Sequence, residues 1–237
     1  MERFDLNTQA HPHEVVQTLN KYGVARIAGY TKDVSLIKSE LLSIFEKREA
    51  NYSFGKAIRS DNPSSWDLTE TPTVTSFFRN SEWMYEVATG YQQLNVGFQR
   101  DIFSTYDYIS DQGVGPQGWA HFDRLQRFKF FLNVTDVCEQ CGPLTVSPGS
   151  HHMTKRLRSM EPNPNNITKW RFGRFYGDAG RCDFWDEPQN HYPEIEYELV
   201  PITGPAGTLI IFDSDVIHKG GNVQPGNERI VVRSHSW

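Results

Sequence analysis

The sequence predicts an α+β protein, mainly β, whose body is a β-sandwich or jelly-roll barrel. Three observations lead there. The helical periodicities all lie before residue 101, many short strand patterns follow it, and Gly- and Pro-containing turns separate those strands. No internal repeat and no interdomain linker interrupts the chain, and sandwiches or barrels of about 200–250 residues commonly form one domain. Residues 1–237 are therefore expected as a single domain, with a helical part over 1–100 and a β-barrel core over 101–237.

In chain order, Val15, Val16 and Leu19 give a short helical stripe that ends before Gly23, and residues 24–27 read as a strand. A stronger helix runs from a cap at Thr31 or Asp33 to about Ala50, with Leu36, Ile37, Leu41, Ile44 and Phe45 along one side. Residues 51–79 are polar and contain Pro63 and Pro72, so a loop with little regular structure is expected. Residues 80–100 place Met84, Val87, Tyr91 and Leu94 on one helical face. Strands are then expected over 102–109, 127–136, 143–147, 194–200, 208–212, 216–218 and 229–236. Residues 151–193 form a long insertion rich in Arg, Trp, Phe and Tyr. Excursions of that length are usually functional or disordered. The aromatic density argues against disorder, and a lid over the barrel mouth is expected, with a packed surface excursion as the alternative.

Bulk composition removes several function classes. The chain has 24 basic against 29 acidic residues, a net charge of -5, which disfavours non-specific nucleic-acid binding. No window approaches the ~18–20 apolar residues of a membrane span, and the N-terminal residues lack the layout of a secretory signal. Three cysteines are too few for a disulfide framework, and the odd count suits a reducing, cytoplasmic setting. Cys138 and Cys141 lie in a turn, where no functional role is expected. Oligomeric state leaves no signal.

The stretch from Trp119 to Ser150 is the most informative. Side chains two apart on a strand share a face, so His121 and Asp123 can point into one cavity. A His-x-Asp triplet alone recurs by chance, and its weight depends on a third ligand. Of the eight histidines, His11 and His13 are in the N-terminal segment and His191 is in the insertion. His151 and His152 follow a Pro-Gly-Ser turn, where surface or capping roles are expected, and His235 is near the C-terminus. His218 remains, placed after an apolar strand and a polar turn. Two imidazoles and one carboxylate form the facial triad that holds non-haem Fe(II) with positions left open, and zinc accepts the same donors.

Arg229 lies on the last strand, where Arg229, Val231 and Arg233 share one face. A guanidinium inside a barrel needs an anionic partner, and a dicarboxylate cosubstrate that chelates the metal at one end and meets Arg229 at the other would provide it. A surface arginine on an edge strand is the alternative.

These motifs together resemble the phytanoyl-CoA dioxygenase (PhyH) family of Fe(II)/2-oxoglutarate oxygenases. The residues concerned are His121, Asp123, Asp136, Gly142, Pro143, Leu144, the Pro-Gly-Ser-His run at 148–151, Ala206, Gly207, Phe212, Asp213, His218 and Arg229. The resemblance covers roughly residues 100–237. It implies a double-stranded β-helix (cupin-like) fold with the N-terminal helices packed on one sheet. It implies Fe(II) on His121, Asp123 and His218, 2-oxoglutarate anchored by Arg229, and O2 as the third reactant. Oxidative decarboxylation to succinate and CO2 would accompany hydroxylation of an unactivated C–H bond. The carboxylate at Asp123 disfavours halogenation, because related halogenases carry a small residue there. Phe131 falls where the family tends to place an aromatic beside the cosubstrate. Lys129 and Asn133 share its face and are pocket candidates, although Lys129 reads equally well as a solvated strand residue. Tyr106 is a candidate for a second hydrogen bond to 2-oxoglutarate.

Two rival functions remain at this level. A cupin-like metal-dependent hydrolase or isomerase would use the three ligands but leave Arg229 without a purpose. A catalytically silent binding domain would ordinarily have lost a ligand. The expected substrate is a small molecule with an anionic or aromatic portion, and Lys155, Arg156 and Arg158 form a basic cluster that could meet it or be solvated.

Overall fold

In the computed structural model the described residues are 3–48, 51–52, 55–62, 64–92, 101–108, 120–123, 127–160 and 197–236. The N-terminal region begins with strand β1 (Asp5–Leu6) and helix α1 (Pro12–Tyr22). Pro12 fits the first helical turn, where its missing N–H costs nothing. His11 and Glu14 exchange hydrogen bonds with each other's backbone as a capping box, and Gly23 stops the helix in the left-handed conformation at φ 71°. A Cβ on Gly23 would also lie 2.6 Å from His151 Nδ1, so the position is closed to any larger residue.

Strand β2 (Val24–Ile27) and helix α2 (Val34–Lys47) follow. The buried stripe of α2 is Ile37, Leu41, Ile44 and Phe45, whereas Leu36, expected on that side, is 60% exposed. Asp33 occupies the N-cap without a side-chain cap bond; instead Thr31 Oγ1 accepts from the Asp33 N–H.

Residues 51–79, expected as loop, are more ordered than that. They form a hairpin of β3 (Asn51–Tyr52) and β4 (Gly55–Arg59), a short 3-10 turn (Leu68–Glu70), and helix α3 (Pro72–Arg79). The reason is tertiary. The Glu40 carboxylate of α2 accepts from the N–H groups of Thr73 and Val74, capping α3 from another helix. Val74 and Phe78, one turn apart, bury completely. Helix α4 (Glu82–Gln92) buries Met84, Val87 and Ala88, with Tyr91 packed at its end; Leu94 lies outside the described residues.

The remaining strands are β5 (Asp101–Tyr108), β6 (Phe128–Asn133) and β7 (Leu144–Val146); then, beyond helix α5 (His151–Met160), β8 (Val200–Ile202), β9 (Leu209–Asp213), β10 (His218–Lys219) and β11 (Glu228–Ser236). The strand expected over 194–200 is corrected. Residues 194–196 lie outside the described set, 197–199 join no ladder, and pairing begins at Val200. The first ten residues of the expected insertion are helical, and 161–196 are not among the described residues.

The strands make two sheets. One has eight strands in the order β1-β2-β9-β6-β11-β5-β4-β3, antiparallel except for β1 with β2; the other has three, in the order β10-β7-β8. The expected fold class holds as two facing sheets, and among the described residues no hydrogen bonding closes them into one barrel. Alternation divides the large sheet cleanly. Phe128, Phe130, Leu132, Leu209, Ile211, Ile230 and Val232 face the helices and share a core with Leu19, Ile37, Leu41 and Phe78. Phe131, Ile210, Phe212 and Val231 face the small sheet and pack on Leu144, Val146 and Ile202. The helices thus cover one face, as expected, and the other face lines the space between sheets where the site lies.

The turns named by the sequence motifs have local reasons. Asp136 Oδ1 accepts from the Ala206 N–H at 2.7 Å, tying together the two turns at one end of the sheets. Gly142, at φ 67°, lies so close to the Gly221 carbonyl that a Cβ would be 2.6 Å from it. Cys138 and Cys141, read from sequence as turn cysteines in a reducing setting, are joined as a disulfide; the turn brings their Cα atoms to 5.0 Å, within disulfide range.

Candidate metal centre

His121 and His218 are directly paired through their backbones. The His121 N–H donates to the His218 carbonyl at 2.9 Å, and the His218 N–H returns to the His121 carbonyl at 2.7 Å. One residue beyond Phe122, the Asp123 N–H donates to the Ser214 carbonyl at 2.9 Å. Ala120 and Phe122 turn the other way, into a small apolar cluster with Ile217. His121 and Asp123 therefore do share a face, although an isolated bridge rather than an extended strand holds them there.

The segment carrying His218 is fixed from several sides. Asp213 accepts from Tyr91 Oη at 2.7 Å and pairs with Lys155 Nζ at 2.6 Å, joining the end of β9 to α4 and α5. Ser150 Oγ accepts from the Ile217 N–H at 2.8 Å, and Thr154 Oγ1 donates to the Asp215 carbonyl at 2.5 Å. The Pro-Gly-Ser-His motif thereby supports the ligand-bearing turn. Of the surface or capping roles expected for the two histidines, His152 is exposed, whereas His151 is 2% exposed beneath Gly23 with its Nε2 3.3 Å from the Asn20 carbonyl in the last turn of α1.

The three side chains converge. One ligand atom from each of His121, Asp123 and His218 lies within 4.8 Å of the other two. Asp123 Oδ1 is 3.7 Å from His121 Nε2 and 3.6 Å from His218 Nε2. His218 Nδ1 is 2.7 Å from the Val216 carbonyl, a contact that places the proton on Nδ1 and frees Nε2 as a ligand. Burial, with His121 and Lys129 nearby, pushes the His218 imidazole well below its ordinary pKa, so it is neutral near pH 7. Burial opposes ionisation of Asp123, but Lys129, His218 and His121 outweigh it and hold the carboxyl well below its usual range. A neutral imidazole and an ionised carboxylate are what a divalent metal needs, so the donor set fits Fe(II).

Other expected site residues divide into two groups. Phe131, Lys129 and Asn133 are buried on the inner face of β6. Lys129 is not a solvated strand residue: it is 8% exposed, with Nζ 2.5 Å from Asp123 Oδ2. Arg229 is also inward and buried, and the anionic partner that a buried guanidinium was expected to need is supplied in part by the protein itself. Asp107 Oδ2 accepts from Arg229 Nε at 2.9 Å and from Nη2 at 2.6 Å. Sequence reading missed Asp107. The β5 alternation places it on one face with Thr105, but the register that sets it opposite Arg229 is a tertiary fact. Tyr106 is not brought to the site. It lies on the helix side of β5, packs on Phe45, and its hydroxyl bonds Glu228. One step of alternation separates it from Asp107.

The phytanoyl-CoA dioxygenase (PhyH) family model matches residues 88–231, more than half of the chain. The chain belongs to that family. No curated protein sequence matches it. Among solved structures, the chain is similar to SnoN, a non-heme alpha-ketoglutarate-dependent epimerase from nogalamycin biosynthesis. The TM-score is 0.66 at 12% identity, covering 95% of this chain and 82% of that one. It is also similar to SnoK, a non-heme alpha-ketoglutarate-dependent carbocyclase of the same biosynthesis. There the TM-score is 0.65 at 12% identity, covering 98% and 86%. A structure of SnoN with Fe3+, alpha-ketoglutarate and nogalamycin RO aligns with a TM-score of 0.65 at 12% identity, over 95% and 82%. Identity this low speaks to the fold. Family and donor set together support Fe(II) and 2-oxoglutarate as the cofactors of this PhyH-family enzyme. Among the described residues, no helix is long and apolar enough to cross a membrane.

Proposed function

We propose that the whole chain acts as a single-domain Fe(II)- and 2-oxoglutarate-dependent dioxygenase that hydroxylates an unactivated C–H bond of a small molecule. The observation that carries this reading is the convergence of His121, Asp123 and His218, with one ligand atom from each, beside the inward face that bears Arg229. The bound metal, with 2-oxoglutarate and O2, supplies the oxidising chemistry, releasing succinate and CO2.

The protein's residues position the reactants. His121, Asp123 and His218 would hold the iron with three protein donors, fewer than its full coordination number, so that exogenous ligands can also bind. Asp107 grips the Nε/Nη2 edge of Arg229, which leaves the Nη1/Nη2 edge of the fork suited to a bidentate carboxylate, the far end of 2-oxoglutarate. Phe131, buried on the same inner face two residues along β6 from Lys129, would shield the cosubstrate's methylene chain from water. The similar structures are an epimerase and a carbocyclase, so hydroxylation is to be read from the product and not from the fold.

Anaerobic addition of Fe(II) and 2-oxoglutarate tests the reading. A weak visible metal-to-ligand charge-transfer band is expected, and it should vanish in Arg229→Ala at the same cosubstrate concentration. A band that survives Arg229→Ala but is lost in Arg233→Ala would move the anchor two inward positions along β11. No band at all in folded, iron-loaded protein would favour a hydrolase, an isomerase or a silent binding domain on this fold. Succinate release stimulated by a candidate substrate, with mass analysis for one added oxygen, then identifies substrate and outcome.

A further inference from the structure

The two oxygens of Asp123 are divided between different partners. Oδ1 faces both imidazoles, 3.7 Å from His121 Nε2 and 3.6 Å from His218 Nε2. Oδ2 faces away, 2.5 Å from Lys129 Nζ. Lys129 is buried on β6, where it pairs with Phe212 of β9 on one side and His235 of β11 on the other, and its ammonium lies 5.3 Å from the Phe212 ring centroid. This is an expensive place for a cation, since a divalent metal bound to Oδ1 would sit close by and repel it. A hydrogen-bond donor without charge would position the carboxylate without that repulsion.

We propose that Lys129 is a positioning residue that fixes Asp123 as a one-oxygen metal ligand. A carboxylate can bind a metal through one oxygen or both. With Oδ2 held by the ammonium, only Oδ1 is available, so an octahedral metal keeps three positions for exogenous ligands instead of two. That number matters for the proposed chemistry, because a chelating 2-oxoglutarate takes two positions and leaves one. The same pair gives the metal-free protein an internal counter-ion for Asp123, so the empty site does not bury an uncompensated carboxylate. The inference rests on His121, Asp123 and His218 as metal ligands and does not depend on which molecule fills the open positions.

The test uses Mn(II) on the full-length protein without cosubstrate, reading affinity and the water-proton relaxivity of the bound ion. Loss of binding in His218→Ala first establishes the site, independently of Lys129; if wild-type protein binds no Mn(II) there, both the metal reading and this inference fall. Lys129→Met removes the ammonium from Oδ2, so that oxygen is no longer held by this cation and can turn to the metal. Relaxivity should then drop by about a third as one of three water positions is lost, and affinity should rise about tenfold or more as the neighbouring cation disappears. Lys129→Gln keeps a donor to Oδ2 and removes the charge, so its relaxivity should match wild type while its affinity rises. Unchanged relaxivity in Lys129→Met overturns the inference. So does weaker Mn(II) binding, the ordinary result of losing an outer-shell partner, and so does a lowered relaxivity in Lys129→Gln.

Discussion

Arg229 and Asp107 stand directly opposite each other on β11 and β5, and a single oxygen of Asp107 accepts from both Nε and Nη2 of Arg229. Both side chains are buried, at 5% and 2% exposure. Asp107→Ala leaves the guanidinium buried without this partner, a change that typically costs about 3–5 kcal/mol. For a protein of this size that corresponds to a fall in melting temperature of roughly 10 °C. The variant should regain more of its melting temperature on adding 2-oxoglutarate than wild type does, because the cosubstrate's carboxylate replaces the lost anion. Differential scanning fluorimetry with and without cosubstrate measures both; equal ligand-induced shifts would count against Arg229 as the anchor.

Removal of a metal ligand should separate binding from folding. His218 is held by backbone pairing with His121 as well as by its ring. His218→Ala is therefore expected to keep its fold by circular dichroism while losing Fe(II) affinity by at least about a hundredfold, read by equilibrium dialysis. Retained iron in this variant would place the metal elsewhere.

His151 gives a pH dependence whose sign is set by its burial. Burial, then His152 and Lys155, pushes its pKa from the ordinary 6.5 down to about 4. Between those values the unfolded chain binds the proton and the folded chain does not, so stability rises with pH across this window. The contribution is complete above about pH 6.5 and is lost as pH falls through about 4. The melting temperature of metal-free protein should accordingly drop by several degrees, about 5 °C, between pH 7 and pH 5. His151→Gln should show a smaller drop; an identical slope in the two proteins would refute the assignment.

Glu40 caps α3 from α2 through the N–H groups of Thr73 and Val74. Glu40→Ala should cost about 1–2 kcal/mol, as loss of a helix cap does, without altering metal affinity. Urea denaturation and Fe(II) titration of the same preparation check the two halves of this prediction.

The sequence by itself determined which three side chains come together as a candidate metal centre and most of the elements that hold them. Strand β2 and the last strand lie where their patterns place them, and the stripe of α2 buries at four of its five expected positions. His121, Asp123 and His218 were legible because metal donors are few chemical types and period-two alternation fixes a shared face. What alternation cannot supply is which strand lies alongside which, and in what register. Tyr106 and Asp107 are adjacent in sequence, and only the pairing of β5 with β11 decides that Asp107 meets Arg229 while Tyr106 faces the helices. Helix α3 was hidden for the same kind of reason, since its cap is a carboxylate more than thirty residues away. The partner of Lys129 was hidden too: its ammonium meets Asp123 only where the start of β6 folds against the metal-bearing segment. Local chemistry is written in the order of residues, but the counter-ion of a buried charge is chosen by packing, because burial makes an unpaired charge too costly to keep.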